Sequence, residues 1–527
     1  MGIGHRGSAS LRRHLAVPLA ALAFAVGCTG DAPRPAAAAP AAADASGLIS
    51  EQVFSVGYGR IAEAYLQPVD LRQLGTDGLK ALATIDSSIS VGRDKDSVRL
   101  YVSGTPAFEA PAPKPADSAA WATLTVRAVE RARLHSAALR AAPAERIYQA
   151  VFDAVVGGLD GFSRYTGAQR ATGERAQREG YGGVGLALTP AGGRLLVSES
   201  HGPAERAGIR PGDVLLAVDG AAAGADEPAV AERLRGPSGT LVLLTVGRDG
   251  QSPRRLPVRR ERVIPNTVAT TLTAHTAVIK VERFNAGTVA NLREAVLNAR
   301  AALGPAAHGV VLDLRGNPGG LLDQAVAVAD LFIRRGRIIT TEGRHPDSRQ
   351  RFEAAPDDVA DGLPLVVLVD ARTASSAEVV AAALQDSGRA VVVGSASYGK
   401  GSVQTVTRLP NDGELFLTWS RIYTPAGYSL HRQGVQPMVC TSVDGRAADS
   451  LVDELRGGGA RPHAVQLAGW RAQASNDETA LTRLREACPW KEHGAELDIE
   501  VAKRLLAEPQ LYQRAVALAT SSAVAER

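Results

Sequence analysis

The 527 residues are 45% hydrophobic and 22% charged, a balance that suits several globular domains and excludes a disordered chain. The formal net charge of +4 includes Arg6, Arg12 and Arg13 at the N-terminus, so the remainder carries only +1. With aromatics at 4% and no basic face interleaved with them, nothing supports a nucleic-acid partner.

The first 28 residues have the form of an export signal. Arg12 and Arg13 precede an apolar run, Leu15 to Gly27, that is too short to span a bilayer. The run ends in A-V-G-C, which resembles a bacterial lipoprotein cleavage site with Cys28 as the lipidated residue, although Ala25 stands where such sites usually carry leucine. The expected location is the periplasm, with anchoring to a bacterial membrane if Cys28 is lipidated. Residues 29–46 are Ala/Pro-rich and read as an extended tether.

From 47 to 179 the apolar residues recur at three- and four-residue spacing, which predicts a mostly helical domain interrupted by a loop over Pro106 to Pro115. Residues 180–262 have a strand-and-turn rhythm: Y-G-G-V-G-L-A-L, then G-P-A-E-R-A-G-I-R-P-G-D-V-L-L-A-V-D-G, then R-G-P-S-G-T-L-V-L-L-T-V-G-R. Between 263 and 440, strands are expected at Ala277 to Phe284, Gly309 to Leu314 and Leu363 to Val369, with a helix over Val289 to Leu303. Strands alternating with helices predict an α/β layer fold. N-P-G-G, Asn317 to Gly320, follows a strand and opens a further helix, where backbone amides can point at negative charge. Residues 441–527 contain helical spacing over Leu451 to Leu455 and Glu496 to Leu518, with no role readable from the sequence.

Thr373 to Gln404 carries the chemistry. T-A-S-S-A-E leads into an apolar helix, Ala390 to Gly394 reads as a buried strand, and Y-G-K-G-S-V-Q follows. A serine hydroxyl needs a neighbouring base to become a nucleophile, and a lysine can be that base only as the neutral amine, which burial favours. Lys400 sits among glycines with no acid between Asp386 and Asp412, and Gln404 offers a neutral amide to orient it. Ser375 with Glu378 also reads as a capping box, an ordinary helix start. Gly394 to Lys400 fits the front of a phosphate-cradling loop, but Gly401 occupies the place of the metal-binding Ser or Thr. The alternating residues after it form a strand pattern instead of a helix, which excludes that site.

These motifs together resemble the C-terminal processing (tail-specific) proteases: V-V-L-D-L-R-G-N-P-G-G-L-L, T-A-S-S-A-E, Y-G-K-G-S-V-Q and Y-T-P-A-G-Y-S-L in order, after a PDZ-like segment. The similarity covers roughly Val151 to Val439. It implies a helical N-terminal cap, a PDZ domain over 180–262, a crotonase/ClpP-like α/β serine protease core over 263–440 and a helical C-terminal extension. It also implies a serine endopeptidase with a Ser375/Lys400 dyad, Gln404 as orienter, and an oxyanion hole from the amides of Gly320 (Gly319 being the neighbouring candidate) and Ser376. Gly183, Val184, Gly185 and Leu186 would form the loop and edge strand that take a substrate's C-terminal tail, although they also suit a plain hairpin. Polypeptides with apolar C-terminal tails and a homodimer through the N-terminal cap are the partners implied; no cofactor or metal is.

The chain departs from the family pattern in three places. T-A-S-S-A-E stands where S-A-S-A-S-E is usual, L-D-G-F-S-R-Y lacks the usual Pro-His pair, and Met438 replaces a common aspartate. Cys440 and Cys488 either pair in an oxidising compartment, clipping the C-terminal extension to the core, or remain two buried thiols; export favours the disulfide. The alternative function is a PDZ peptide-holding scaffold on a core that no longer cuts.

Overall fold

β-branched residues, which suit a pleated surface buried on both faces, fill the central strands of the core. A computed structural model describes residues 41–521 apart from 95, 444, 459, 493 and 494. The leader with Cys28 lies outside the described residues.

The central sheet runs in the order β1 (Val268–Leu272), β2 (Thr276–Val281), β3 (Gly309–Asp313), β4 (Leu365–Val369), β5 (Val391–Gly394) and β8 (Val439–Cys440). The β1–β2 pair is antiparallel; all other neighbours in the sheet are parallel. Successive side chains on a strand point to opposite faces. Val310, Leu312, Leu365, Val367 and Val392 accordingly pack against α1 (Thr288–Leu303), α2 (Leu322–Asp330) and α3 (Ser376–Asp386). Val311, Val366, Leu368, Val391 and Val393 pack on the other face, against Val501, Leu505, Leu511 and Tyr512 of the C-terminal helices. The extension is thus the second helical layer of the core. Its helices include Ala460–Gln473 and Glu478–Ala487, beyond those expected from the sequence. Cys440 and Cys488 are joined by a disulfide.

A second sheet abuts this core. It includes β6 (Ser402–Arg408) and β7 (Glu414–Tyr423), and β7 also pairs with Arg164–Thr166 of the N-terminal domain. Leu409, Leu415 and Leu417 are buried in the N-terminal hydrophobic cluster around Phe54, Trp121 and Phe152, which fixes the segment 159–166 beside β7.

Two expectations for the N-terminal region need correction. The expected loop at 106–115 overlaps a strand, Thr105–Pro111, in a sheet with Ile89–Arg93 and Ser97–Val102. Ser103 and Gly104 both have positive φ, 51° and 76°, the turn that joins tightly paired strands, and Val98, Leu100 and Val102 alternate inward. Residues 41–46, expected in an extended tether, belong to a helix running Ala41–Ala64, as their alanine content favours.

The PDZ region forms an antiparallel sheet with Leu186–Ala191 at its edge and the helix Glu227–Leu234 packed beside it. Its core gathers Val184, Leu195, Val197, Ile209 and Leu244.

Candidate functional site

Three loops at the C-terminal ends of parallel strands meet in one cavity of about 780 Å³. Its lining includes Ser375, Ser376, Lys400, Gln404, Gly319 and Gly320, and also Phe162 and Arg164 from the N-terminal segment.

The first loop leaves β4 and enters α3. Asp370 holds it, its Oδ1 accepting the N–H groups of Arg372 and Thr373 at 2.9 and 3.0 Å and that of Gly316 in the neighbouring loop at 2.9 Å. Ser375 follows with φ 56° and ψ −119°, a backbone conformation that non-glycine residues rarely hold. A strained residue on a sharp strand-to-helix turn places its side chain at the mouth of the site.

The second loop is the N-P-G-G turn after β3. Gly320, at φ 146°, lies so close to Phe284 that a Cβ would meet the Phe284 carbonyl oxygen at 2.0 Å. Gly319 lies against residues 374–376, where a Cβ would meet the Ala374 oxygen and Ser375 Cβ at 2.9 Å. The Gly319 N–H is already given to Asn317 Oδ1 at 2.8 Å. Among the described residues the N–H groups of Gly320 and Ser376 have no protein acceptor. Ser376 Oγ donates to the Gly320 carbonyl at 2.9 Å, so the added hydroxyl of T-A-S-S-A-E ties the two loops together.

The third loop, 395–401, carries Lys400 between β5 and β6. Burial is the largest influence on the Lys400 amine and lowers its pKa; the Arg164 charge lowers it further, against weaker opposing effects of Glu378 and Asp160. The amine lies 5.5 Å from the centre of the Phe162 ring, and among the described residues it has no carboxylate within ion-pair distance. It also makes no hydrogen bond to Ser375 Oγ, as is common before substrate closes a site. Gln404 stands at a bulge in the β6–β7 pairing, and its Nε2 donates to Ser402 Oγ at 3.0 Å and Thr418 Oγ1 at 3.3 Å. Those bonds fix the amide plane; they do not reach Lys400.

Glu378 is the residue whose role the sequence understates. Fully buried, it accepts the N–H of Ser375 at 2.6 Å, of Gly399 at 2.6 Å and of Lys400 at 2.9 Å, and the Ser397 hydroxyl at 2.5 Å. Burial raises its pKa, opposed by these four donors. One carboxylate therefore pins the serine turn to the lysine loop. The capping-box pattern marks its bond to Ser375, but no local spacing announces the other three. Phe162 and Arg164 were equally hidden, because β7 brings them in from the N-terminal domain.

Of the expected tail-binding residues, Gly183 pairs within Tyr181–Gly183 against Glu261–Val263, Val184 is buried in the PDZ core, and Leu186 begins the edge strand. Gly185 and Leu186 line a second cavity of about 650 Å³, together with His201 and residues of α1 such as Asn291 and Glu294.

Residues 275–440 match Peptidase family S41 and residues 197–248 match the PDZ domain family. The chain is 35% identical over 285 residues to the "Carboxy-terminal-processing protease" of Bartonella bacilliformis, covering 53% of this chain and 66% of that one. It is 32% identical over 302 residues to a "Probable CtpA-like serine protease" of Staphylococcus aureus, covering 56% and 60%. The chain thus spans just under two thirds of these relatives' own lengths. The solved structure of a photosystem II D1 C-terminal processing protease aligns with 25% identity and a TM-score of 0.37, over 74% of this chain and 92% of that one. The resemblance to peptidase family S41 thus rests on residues 275–440, and over just over half of its length the chain is similar to carboxy-terminal-processing proteases.

Proposed function

We propose that the protein is an exported serine endopeptidase of the C-terminal processing class. The observation that carries this reading is the convergence of Ser375, Lys400, Gln404, Gly320 and Ser376 on one cavity, with Ser375 on a strained turn. Ser375 Oγ attacks the scissile carbonyl while Lys400 Nζ takes its proton. The resulting oxyanion is met by the amides of Gly320 and Ser376; the engaged N–H of Gly319 favours Gly320 over its neighbour. The C–N bond breaks as Lys400 returns the proton to the leaving amine, and water, activated by the same amine, hydrolyses the acyl-enzyme. The Gln404 amide, held by Ser402 and Thr418 in the same cavity, orients the lysine when substrate brings the two together. The PDZ domain takes an apolar substrate tail as an added strand along Leu186–Ala191, with its carboxylate at Gly183 to Leu186. Export to the periplasm, lipidation at Cys28 and dimerisation through the N-terminal cap belong to this proposal.

The test is cleavage of a peptide with an apolar free C-terminus by the full chain. Ser375→Ala and Lys400→Ala are each expected to lower kcat by roughly four to six orders of magnitude. Because burial depresses the Lys400 pKa and the neutral amine is the working form, activity should rise with pH through that depressed value and fail below it. Wild-type turnover in either variant sinks the dyad. A wild-type protein that binds the peptide and leaves it intact is instead a peptide-holding scaffold.

A further inference from the structure

Beyond the stretch that matches the protease family, the chain returns across the reactive loops as a short segment, Cys488 to Glu492. We propose that Trp490 is a positioning residue for the lysine loop and that the Cys440–Cys488 disulfide holds it in place. The proposal rests on the Ser375/Lys400 reading above.

A chain of direct contacts supports it. Cys440 ends β8, paired with Gly394 at the end of β5, where the lysine loop begins. From Cys488 the backbone passes through Pro489 to Trp490, whose Nε1 donates to the Ser397 carbonyl at 2.8 Å and whose ring stacks on Tyr398 at 5.6 Å between centres. The next carbonyl, that of Lys491, accepts the Ser395 hydroxyl at 2.8 Å and the Ala371 N–H at 3.3 Å, bridging the lysine loop to the serine loop. Arg372 and Glu492 lie 3.7 Å apart across the same junction. Ser397, gripped from outside by Trp490, donates inward to Glu378, which holds the backbone at Ser375, Gly399 and Lys400.

Hydrophobic burial does not account for Trp490, which is 50% exposed. Its recorded contacts are instead directed at the lysine loop, which has no regular secondary structure to hold it. A base that must meet a hydroxyl within a few tenths of an ångström requires such support. The groups facing the amine (Arg164, Asp160, Glu378 and the Phe162 ring) keep their effect on it only while the loop stays in place.

The experiment compares wild type, Trp490→Ala, Trp490→Phe and the Cys440→Ser/Cys488→Ser double variant as full chains, measuring kcat and KM across pH and the thermal midpoint. Trp490→Ala and the double variant are expected to lose about 10–100-fold in kcat with KM little changed. Their acid limb should move to higher pH as water reaches Lys400. Trp490→Phe, which keeps the stack and loses the N–H, should lose less. Variants that fold with a wild-type midpoint and retain both kcat and the acid limb overturn the proposal, as does a loss of activity that only tracks the unfolded fraction. Amide hydrogen exchange in the Ser375→Ala background reads the same point without chemistry: exchange over 395–401 should quicken in Trp490→Ala while the PDZ sheet stays unchanged, and equal exchange overturns the proposal. If wild type itself fails to cut, the peptidase reading fails, and the exchange result still decides the role of Trp490.

Discussion

Ser375 holds its φ of 56° at a cost of about 1–3 kcal/mol, which neighbouring contacts must offset. Glu378 supplies much of that support, because its bond to the Ser375 N–H is shared with the loop of Lys400. Glu378→Gln would turn an NH2 group toward two donors and leave them unpaired, at about 1–3 kcal/mol each. The expected result is a lower thermal midpoint together with a kcat reduced by one to two orders of magnitude, on the ~1.4 kcal/mol-per-decade scale. Unchanged kcat in this variant would show that the carboxylate does not align the dyad. Gly320→Ala addresses the other side of the cavity. Its methyl would run into the Phe284 carbonyl, displacing the amide assigned to the oxyanion, so kcat should fall about 10²–10³-fold with the apparent peptide affinity largely kept.

At the scale of elements, strand edges and irregularities do the work. Ser402, Gln404 and Val406 alternate onto the cavity face of β6, and the register shift between Val403 and Gln404 falls within that stretch. The PDZ edge strand begins at Leu186, directly after Gly185 at φ 79°, where a Cβ would meet the His201 carbonyl at 2.2 Å. Gly185→Ala should therefore distort the loop proposed to take the tail's carboxylate and weaken binding of an apolar-tailed peptide roughly 10–100-fold, measured by fluorescence anisotropy in the Ser375→Ala background. Cleavage of a short peptide lacking a free carboxylate should be nearly unaffected. Equal tail affinity in the variant would remove the PDZ loop from substrate recognition.

Across the whole molecule, the C-terminal extension completes the core in addition to contacting the lysine loop. Asp498, fully buried, accepts Arg315 Nη1 at 2.9 Å and Thr441 Oγ1 at 2.6 Å, joining the extension to the strand end that precedes N-P-G-G. Arg315 also pairs with Asp313 at 2.8 Å. Burial works to raise the Asp313 pKa, but Arg315 and Lys280 outweigh it and leave it below the usual carboxyl range. A depressed carboxyl stabilises the fold above its unfolded pKa, and that contribution is lost as pH falls through the folded value. Asp498→Asn removes one of the two buried carboxylates on Arg315, which keeps Asp313, and should cost about 1–3 kcal/mol, read by denaturant unfolding. A cost below about 1 kcal/mol would mean that solvent reaches the network.

The amino-acid sequence by itself pointed to the central parallel strands ending near Asp313, Val369 and Gly394, the helix ending at Leu303, and Ser375, Ser376, Lys400, Gln404, Gly319 and Gly320 of the cavity lining. Each of those follows from local causes: apolar periodicity, glycines that permit close approach, and short motifs in order. Local spacing could not reveal that Glu378 serves two loops, that Phe162 and Arg164 reach the lysine from the N-terminal domain, or that the hairpin around Ser103 and Gly104 breaks a helical region. Nor could it assign the extension to the second face of the sheet, or bring Trp490 onto the lysine loop. Those depend on strands and helices far apart in the chain packing together, and only the three-dimensional path of the backbone decides which distant side chains become neighbours.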